Sequence, residues 1–452
     1  MMKTDSQADT IYIQDNHMLP ILEYNTAEAE ARLRQIKNRP FDLPKDMEAK
    51  VEKILQDVRN RGDEAVIHWC QTFDAPAISI SNLMVNENEI QQAYSKVSQD
   101  FLQSLRKAIT NIKNFHSPQT QNSWFMTRED GAVMGQMVRP VDRVGIYAPG
   151  GKAGTTPLIS TVLMCAIPAK IAGVEEVILA SPSRKDGTLD AHLLVAAKEC
   201  GVTKIYKMGS AWAIAAMAFG TATIVPVDVI VGPGNIYVAL AKKLLSGMVG
   251  IDMVAGPSEI LIIADESADA SFVAADLLSQ AEHDSMASSL LITTSHALAQ
   301  AVQNELEKQL NDLTRKDIAM QSFSRNGMLL LTKDLPTAAG ISNQMAPEHL
   351  EIMVADPWSL LPFIKHAGSI FLGAWTPEAA ADYIAGPNHV LPTMGTARFS
   401  SGLGVATFLK RSNVLSYTQQ AMERDAKDIL RLATAEGLDA HARSALKRVK
   451  TP

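Results

Sequence analysis

The chain has 452 residues, with 42 Lys and Arg against 49 Asp and Glu and a formal net charge of −7. That length exceeds one hydrophobic core and implies two or three units of ~100–200 residues, and the mildly acidic balance without basic runs excludes nucleic acid as an expected partner. Three scattered cysteines, Cys70, Cys165 and Cys200, argue against a disulfide framework or a cysteine-based zinc site and suit a reduced, cytoplasmic protein.

The start, MMKTDSQADTIYIQDN, is polar and acidic, unlike a secretory leader. Lys170 interrupts the apolar run that comes nearest to a membrane span. Residues 1–44 read as a loosely patterned arm closing on Pro40 and Pro44. The stretch 45–73 is helical with Gly62 as a stop, and a second long helix fits 87–115. His68 and His116 fall there as lone histidines with no site to join. A hairpin follows over 124–138, and at Arg143 the texture changes.

From there short apolar runs at 144–148, 177–180, 205–208 and 227–231 alternate with helical segments at 156–171, 189–200, 211–219 and 236–245. A second series of strands is expected at 260–264, 290–294, 328–331, 351–354 and 369–372. Strand-helix alternation implies parallel sheets covered on both faces, so the fold class is α/β, with two Rossmann-like units in one chain. Glycines follow the first run in YAPGGKAGTTP (Gly150, Gly151) and the fourth in VGPGN (Gly232, Gly234). Strand-end glycines let backbone approach a phosphate, although neither loop is a dinucleotide or P-loop fingerprint.

The second series carries the chemistry. In GPSEILIIADESADASFVAADLLSQAEHD, 256–284, a tight turn opens an apolar strand that breaks at Asp265, and a helix from about Ala270 ends on Gln280 and His283. Those two are three apart, on one face, and offer half of a metal site. In APEHLE, Glu348 adjoins His349 just before a strand, a pair suited to proton transfer near neutrality. In DYIAGPNH a Gly-Pro turn separates Asp382 from His389, and Gly395 to Arg398 open a loop. From Thr418 an amphipathic tail helix finishes at EGLDAHA, 436–442, with Gly437 as its stop.

Together RVGIYAPGGKAG, VGPGNIYVALAKKL, GIDMVAGPSE, DLLSQAEH, APEHLE, DYIAGPNHVLPT, GTARFSS and EGLDAHA resemble the histidinol dehydrogenase family, in its order and spacing, from about Val51 to the end. The resemblance implies oxidation of L-histidinol through L-histidinaldehyde to L-histidine with two NAD+ and one zinc ion per subunit. It places the zinc ligands on Gln280, His283, Asp382 and His441, and the proton-transferring pair on Glu348 and His349. His349 would act on the alcohol, and Glu348 would activate water on the aldehyde. Substrate contacts fall on Ser258, Gln280, His283, His349, Asp382, His389, Glu436 and His441, and dinucleotide contacts on Tyr147 and Asn235. The implied assembly is a homodimer in which the tail, 396–452, lends Glu436 and His441 to the partner's site. The implied division joins 45–122 to 257–395 and sets 123–256 apart.

Three departures stand out. The family's G-G-A-Q reads Gly209-Ser210-Ala211-Trp212 here, so an indole that cannot accept a hydrogen bond replaces a dinucleotide-contacting Gln. The GKAGTTPLIS loop is longer than usual, and Ala381 replaces a glycine. Two rival readings accompany the first: a relative oxidising another polar alcohol such as a sulfonated diol, and a catalytically dead paralogue that binds metal or metabolite. Glu436 and His441 suit a cationic, imidazole-bearing substrate better than a sulfonate.

Overall fold

The computed structural model describes residues 19–39, 45–150 and 157–449. Two parallel sheets organise it. In the larger, strand order is Ile21–Glu23, Gly327–Leu331, Ser288–Thr293, Glu259–Ala264, His349–Met353 and Ser369–Leu372. In the smaller it is Lys204–Lys207, Glu176–Ser181, Arg143–Tyr147, Val229–Val231 and Gly250–Ile251. Every neighbouring pair in both is parallel. If the added Ile21–Glu23 strand is set aside, both sheets wind outward from their first strand in the same order. Each therefore has a crevice where the winding reverses. The strands are mostly apolar, Ile260, Leu261, Ile262 and Ile263 being fully buried, as expected of sheets covered on both faces.

Four features differ from expectation. Within the arm, Ile21–Glu23 pairs with Gly327–Leu331 and leads into the helix Ala27–Lys37; three residues are too few to show a period, and the partner lies about three hundred positions away. Residues 1–18, with Pro40 and Pro44 in 40–44, and Gly151 in the 151–156 loop, lie outside the described residues. The helix expected over 87–115 is two, Glu87–Tyr94 and Gln99–His116, because Ser98 accepts the Phe101 N–H (3.1 Å) and starts a new helix.

The third difference concerns packing. Val51, Leu55 and Val58 of Lys45–Arg61 share a core with Ala213, Met217 and Leu240, and Leu105, Ile109 and Ile112 share one with Leu163 and Ile167. The 45–116 helices thus cover the smaller sheet, not the 257–395 unit to which they were assigned. Fourth, the hairpin of Trp124–Thr127 and Val133–Pro140 gains a third strand from the tail, Leu409–Ser416, paired along the whole of Val133–Pro140. The tail then forms Gln419–Ala435, capped by Thr418, and a separate helix Asp439–Leu446 after Gly437 at φ +73°.

One segment ties the halves together. Glu378–Ala380 runs on into a wider π-type turn over Ala381–Ala385, a local irregularity frequent at functional sites. Asn111 donates to Ile384 O (2.7 Å) and Asn388 donates to Met164 O (2.7 Å), so this segment is held by helices of the smaller-sheet half.

Candidate active site

The chemistry gathers at the amino ends of two adjacent strands in the larger sheet. His349 opens one and pairs in register with Ile260, so it lies beside Glu259, which opens the other. His349 Nδ1 is 2.9 Å from Glu259 O. A carbonyl only accepts, so the proton sits on Nδ1 and the Nε2 lone pair is free. Nε2 faces Glu378 Oε1 at 3.6 Å. Glu259 N–H donates to Glu348 Oε2 (2.9 Å) and Glu348 N–H donates to Glu259 Oε2 (3.2 Å), a reciprocal pair of caps on two buried backbone donors.

Gln280 is the second-last residue of Ala270–Ala281, a helix that runs back from the carboxyl end of Glu259–Ala264 and so delivers its last turn to the amino end. Its amide is fully buried, and the amide atom facing Glu378 lies 3.0 Å from each carboxylate oxygen. As NH2 it donates to both while the amide oxygen accepts the Glu259 N–H (2.9 Å). The opposite orientation sets NH2 against His349 Nδ1–H (3.3 Å), a donor facing a donor. With its oxygen toward Glu378, however, the amide completes an acceptor set fit for a divalent cation. His283 lies just past the helix and acts electrostatically on Asp382, His349 and His389. His389 Nδ1 is 3.3 Å from Asp382 O and 3.8 Å from its Oδ1. Ser258 precedes Glu259, and its carbonyl accepts the Ser288 N–H (3.0 Å).

Burial dominates the electrostatics. Burial raises Glu348 well above the usual carboxylate range, aided by Glu378 and Glu259, and raises Glu378 likewise, aided by Asp382 and Asp276. Asp382 is pushed up to about 6 by burial, with His283 opposing. Burial lowers His349 to about 3 and His389 to about 4, keeping both rings neutral. These neighbouring carboxyls, with Arg39 on Glu259 as their one ion-paired Lys or Arg among the described residues, form a cluster that a metal ion would relieve. His349, Glu378 and Asp382 offer ligand atoms all within 4.8 Å of one another. That trio shares only Asp382 with the expected zinc set. Glu436 and His441 are exposed on the tail and, among the described residues, make no hydrogen bond or ion pair with this cluster.

Glu259, Glu378 and the buried Glu351 were not singled out from the sequence. Two signals were available. Glu378 stands four residues before Asp382, on one helical face, and Glu259 is a charged residue opening an otherwise apolar strand.

The dinucleotide candidates lie at the carboxyl end of the smaller sheet. Tyr147 ends Arg143–Tyr147, is buried, and its hydroxyl accepts the Ser210 N–H (3.1 Å). Gly232 adopts φ +111°, and a Cβ there would collide with Tyr147 O, so only glycine fits. A buried Lys242–Asp252 ion pair fixes this turn: Asp252 Oδ2 accepts the Gly232 N–H (2.7 Å) and Lys242 donates to Gly232 O (3.0 Å). Asn235 is exposed and caps Ile236–Leu245. Trp212 is a core residue, 4% exposed and stacked on Phe73 (centroids 5.7 Å) and Trp69 (6.5 Å).

Comparison with known proteins points to one family. The family model described as histidinol dehydrogenase matches residues 37–449. A histidinol dehydrogenase of Desulfotalea psychrophila is 54% identical over 425 residues, 94% of this chain and 98% of that one. One of Nitratidesulfovibrio vulgaris is 53% identical over 408 residues, covering 90% and 94%. The crystal structure of histidinol dehydrogenase from Elizabethkingia anophelis superposes with a TM-score of 0.89 at 36% identity, covering 96% of this chain and 98% of that one.

Proposed function

The chain belongs to the histidinol dehydrogenase family, and from that premise we propose that it oxidises L-histidinol through L-histidinaldehyde to L-histidine with NAD+, the last steps of histidine biosynthesis. The observation that carries the reading is the gathering of Glu378 and Asp382 about His349, Glu378 facing the free Nε2 at 3.6 Å, with Gln280 against Glu378 and His389 against Asp382. His349 is held neutral by burial, and its Nδ1–H is committed to Glu259 O, so Nε2 is left to take the alcohol proton. The imidazolium so formed would be stabilised by Glu378. Glu348, whose carboxyl holds its proton more tightly than usual, is correspondingly the stronger base toward water adding to the aldehyde. Gln280, His283 and Asp382 would hold zinc with His441 of a second copy. When bound, the ion supplies a Lewis acid that grips the imidazole and amine of the substrate and fixes its orientation. NAD+ supplies the hydride acceptor, against Tyr147 and Asn235.

Exposed apolar side chains on the tail and hairpin support a homodimer. The tail leaves Leu415, Leu432 and Leu438 exposed, and the hairpin leaves Trp124, Phe125 and Met126 exposed, apolar surface suited to a partner. Trp375 and Phe399, 87% and 78% exposed, would be covered in such an assembly, in which the tail would lend Glu436 and His441 to the partner's cluster. No helix among the described residues is long and apolar enough to cross a membrane.

The test follows NADH absorbance with L-histidinol and, separately, dihydroxypropanesulfonate, each with and without a chelator. Chelator-sensitive turnover of histidinol alone is expected. Oxidation of the sulfonate with none of histidinol would overturn the substrate assignment.

A further inference from the structure

Arg39 lies just beyond the helix Ala27–Lys37, in a stretch for which no site was expected. The helix is pinned to the larger-sheet half by Arg32, which donates to Ser324 O (2.8 Å) and Gly327 O (3.0 Å). Arg39 is thereby delivered, 7% exposed, into the wall of the site, where its Nη2 forms an ion pair with Glu259 Oε1 and lies 3.6 Å from Met394 Sδ. Among the described residues, it is the one Lys or Arg in ion-pair contact with any of Glu259, Glu348, Glu351 and Glu378.

Glu259 meets both members of the proton-transferring pair. It accepts the Glu348 N–H on Oε2 (3.2 Å), donates its own N–H to Glu348 Oε2 (2.9 Å), and accepts His349 Nδ1–H on its carbonyl (2.9 Å). One of its carboxylate oxygens therefore holds Glu348, and the other is held by Arg39. Without the guanidinium, the buried Glu259 carboxylate would keep only backbone donors, from Glu348 and Met394, and would stand beside Glu348 with no cation to balance it.

We propose that Arg39 is a positioning residue for the Glu348–His349 pair, acting through its ion pair with Glu259. The inference rests on the reading of that pair as the proton-transferring groups. Arg39 acts at second hand, touching neither reacting group, and its effect belongs in turnover. Gln280, His283 and Asp382, the proposed grip on substrate and metal, are not among its hydrogen-bond or ion-pair partners.

The experiment compares steady-state kinetics, zinc content and melting of the zinc-loaded dimer for wild type, Arg39→Lys, Arg39→Met, Glu259→Gln and the double variant Arg39→Met/Glu259→Gln. Arg39→Met is expected to lower kcat by about 10²-fold, the scale of a small misplacement of catalytic groups, with KM for histidinol and zinc content held within about threefold. Arg39→Lys, which keeps the charge but loses the planar fork, should recover part of the loss. The double variant should turn over faster than Arg39→Met, because the Gln oxygen still accepts the Glu348 N–H with no charge left to balance. A kcat for Arg39→Met within about twofold of wild type, or a double variant no faster than Arg39→Met, would overturn the inference. If Arg39→Met does not fold, Arg39→Lys decides: an undiminished kcat overturns the inference and a reduced kcat at unchanged KM upholds it. His349→Asn in the same assay separates the premise, since a wild-type kcat there would remove the pair itself, whatever Arg39 does.

Discussion

The two sheets share one winding order yet place their business at opposite ends. The smaller follows the general rule for open α/β sheets: its glycine turn at Gly232, the Asn235 cap and Tyr147 stand at the carboxyl ends of the strands, where backbone N–H groups and helix starts suit a phosphate-bearing ligand. The larger sheet uses its amino end. Its strands begin with Glu259 and His349, and two elements fold back to meet them, Gln280 at the end of Ala270–Ala281 and Glu378 with Asp382 from the segment after Ser369–Leu372. Binding a dinucleotide takes permissive backbone, whereas moving protons takes side chains locked at fixed distances. The strand starts supply that rigidity because each charged residue there is tied to a neighbour's backbone.

Mutating the amino-end cluster should give the largest effect on this contrast. His349→Asn is expected to lower kcat by roughly 10²–10⁴-fold, as loss of a general base does, with zinc content and NAD+ affinity retained; a parallel loss of NAD+ binding would mean that the two ends are not separate devices.

A second effect lies in pH and metal. Above the ordinary histidine range His349 and His389, lowered to about 3 and about 4, carry no proton in either folded or unfolded chain. The slope there belongs to carboxyls raised by burial, Glu348 and Glu378 with Glu351 beside them and Asp74, pushed up to about 7, in the other half. A raised folded-state value means stability that is complete at low pH and lost as pH rises through it, at about 1.4 kcal/mol per pH unit for each proton retained. Metal-free protein should therefore melt progressively lower as pH rises above about 6.5, while zinc-loaded protein, whose added positive charge favours the ionised carboxylates, should fall less steeply. A gap between the two melting curves that stays constant with pH would contradict this.

At the carboxyl end of the other sheet, Trp212→Gln should cost about 2–4 kcal/mol of stability by removing the ring stacked on Trp69 and Phe73. NAD+ affinity should not tighten, since the indole is core packing; tighter binding by calorimetry would show it to be an obstruction. The smallest effect is at Ser210, which adopts φ +47° where the family pattern has glycine. Ser210→Gly is expected to gain about 1 kcal/mol in denaturant unfolding by relieving left-handed strain.

Much of the scaffold was legible because buried parallel strands are uninterrupted apolar runs, and 369–372 was found to the residue. Gln280, His283, Glu348, His349, Asp382 and His389 stood out in the sequence as motifs. Arg39 and Glu259 were not, because their meaning lies in a contact across 220 positions that no local period records. Glu351 was invisible for a related reason: it sits inside a strand, and only the N–H of Glu378, which it accepts at 3.1 Å, shows what it supports. The break before Gln99–His116 was readable in principle, since Ser98 is a good helix start. The packing of the 45–116 helices on the smaller sheet was not, because an amphipathic stripe states that a face is buried without stating against what.

The most direct measurement mixes two inactive variants, His441→Ala and His349→Asn, after joint refolding. If the tail completes the partner's site, each mixed dimer pairs one intact body with one intact tail, and histidinol turnover should return to about a quarter of wild type for random assembly. If each tail serves its own protomer, every site in the mixture keeps one lesion, and no turnover above the separate variants would be seen.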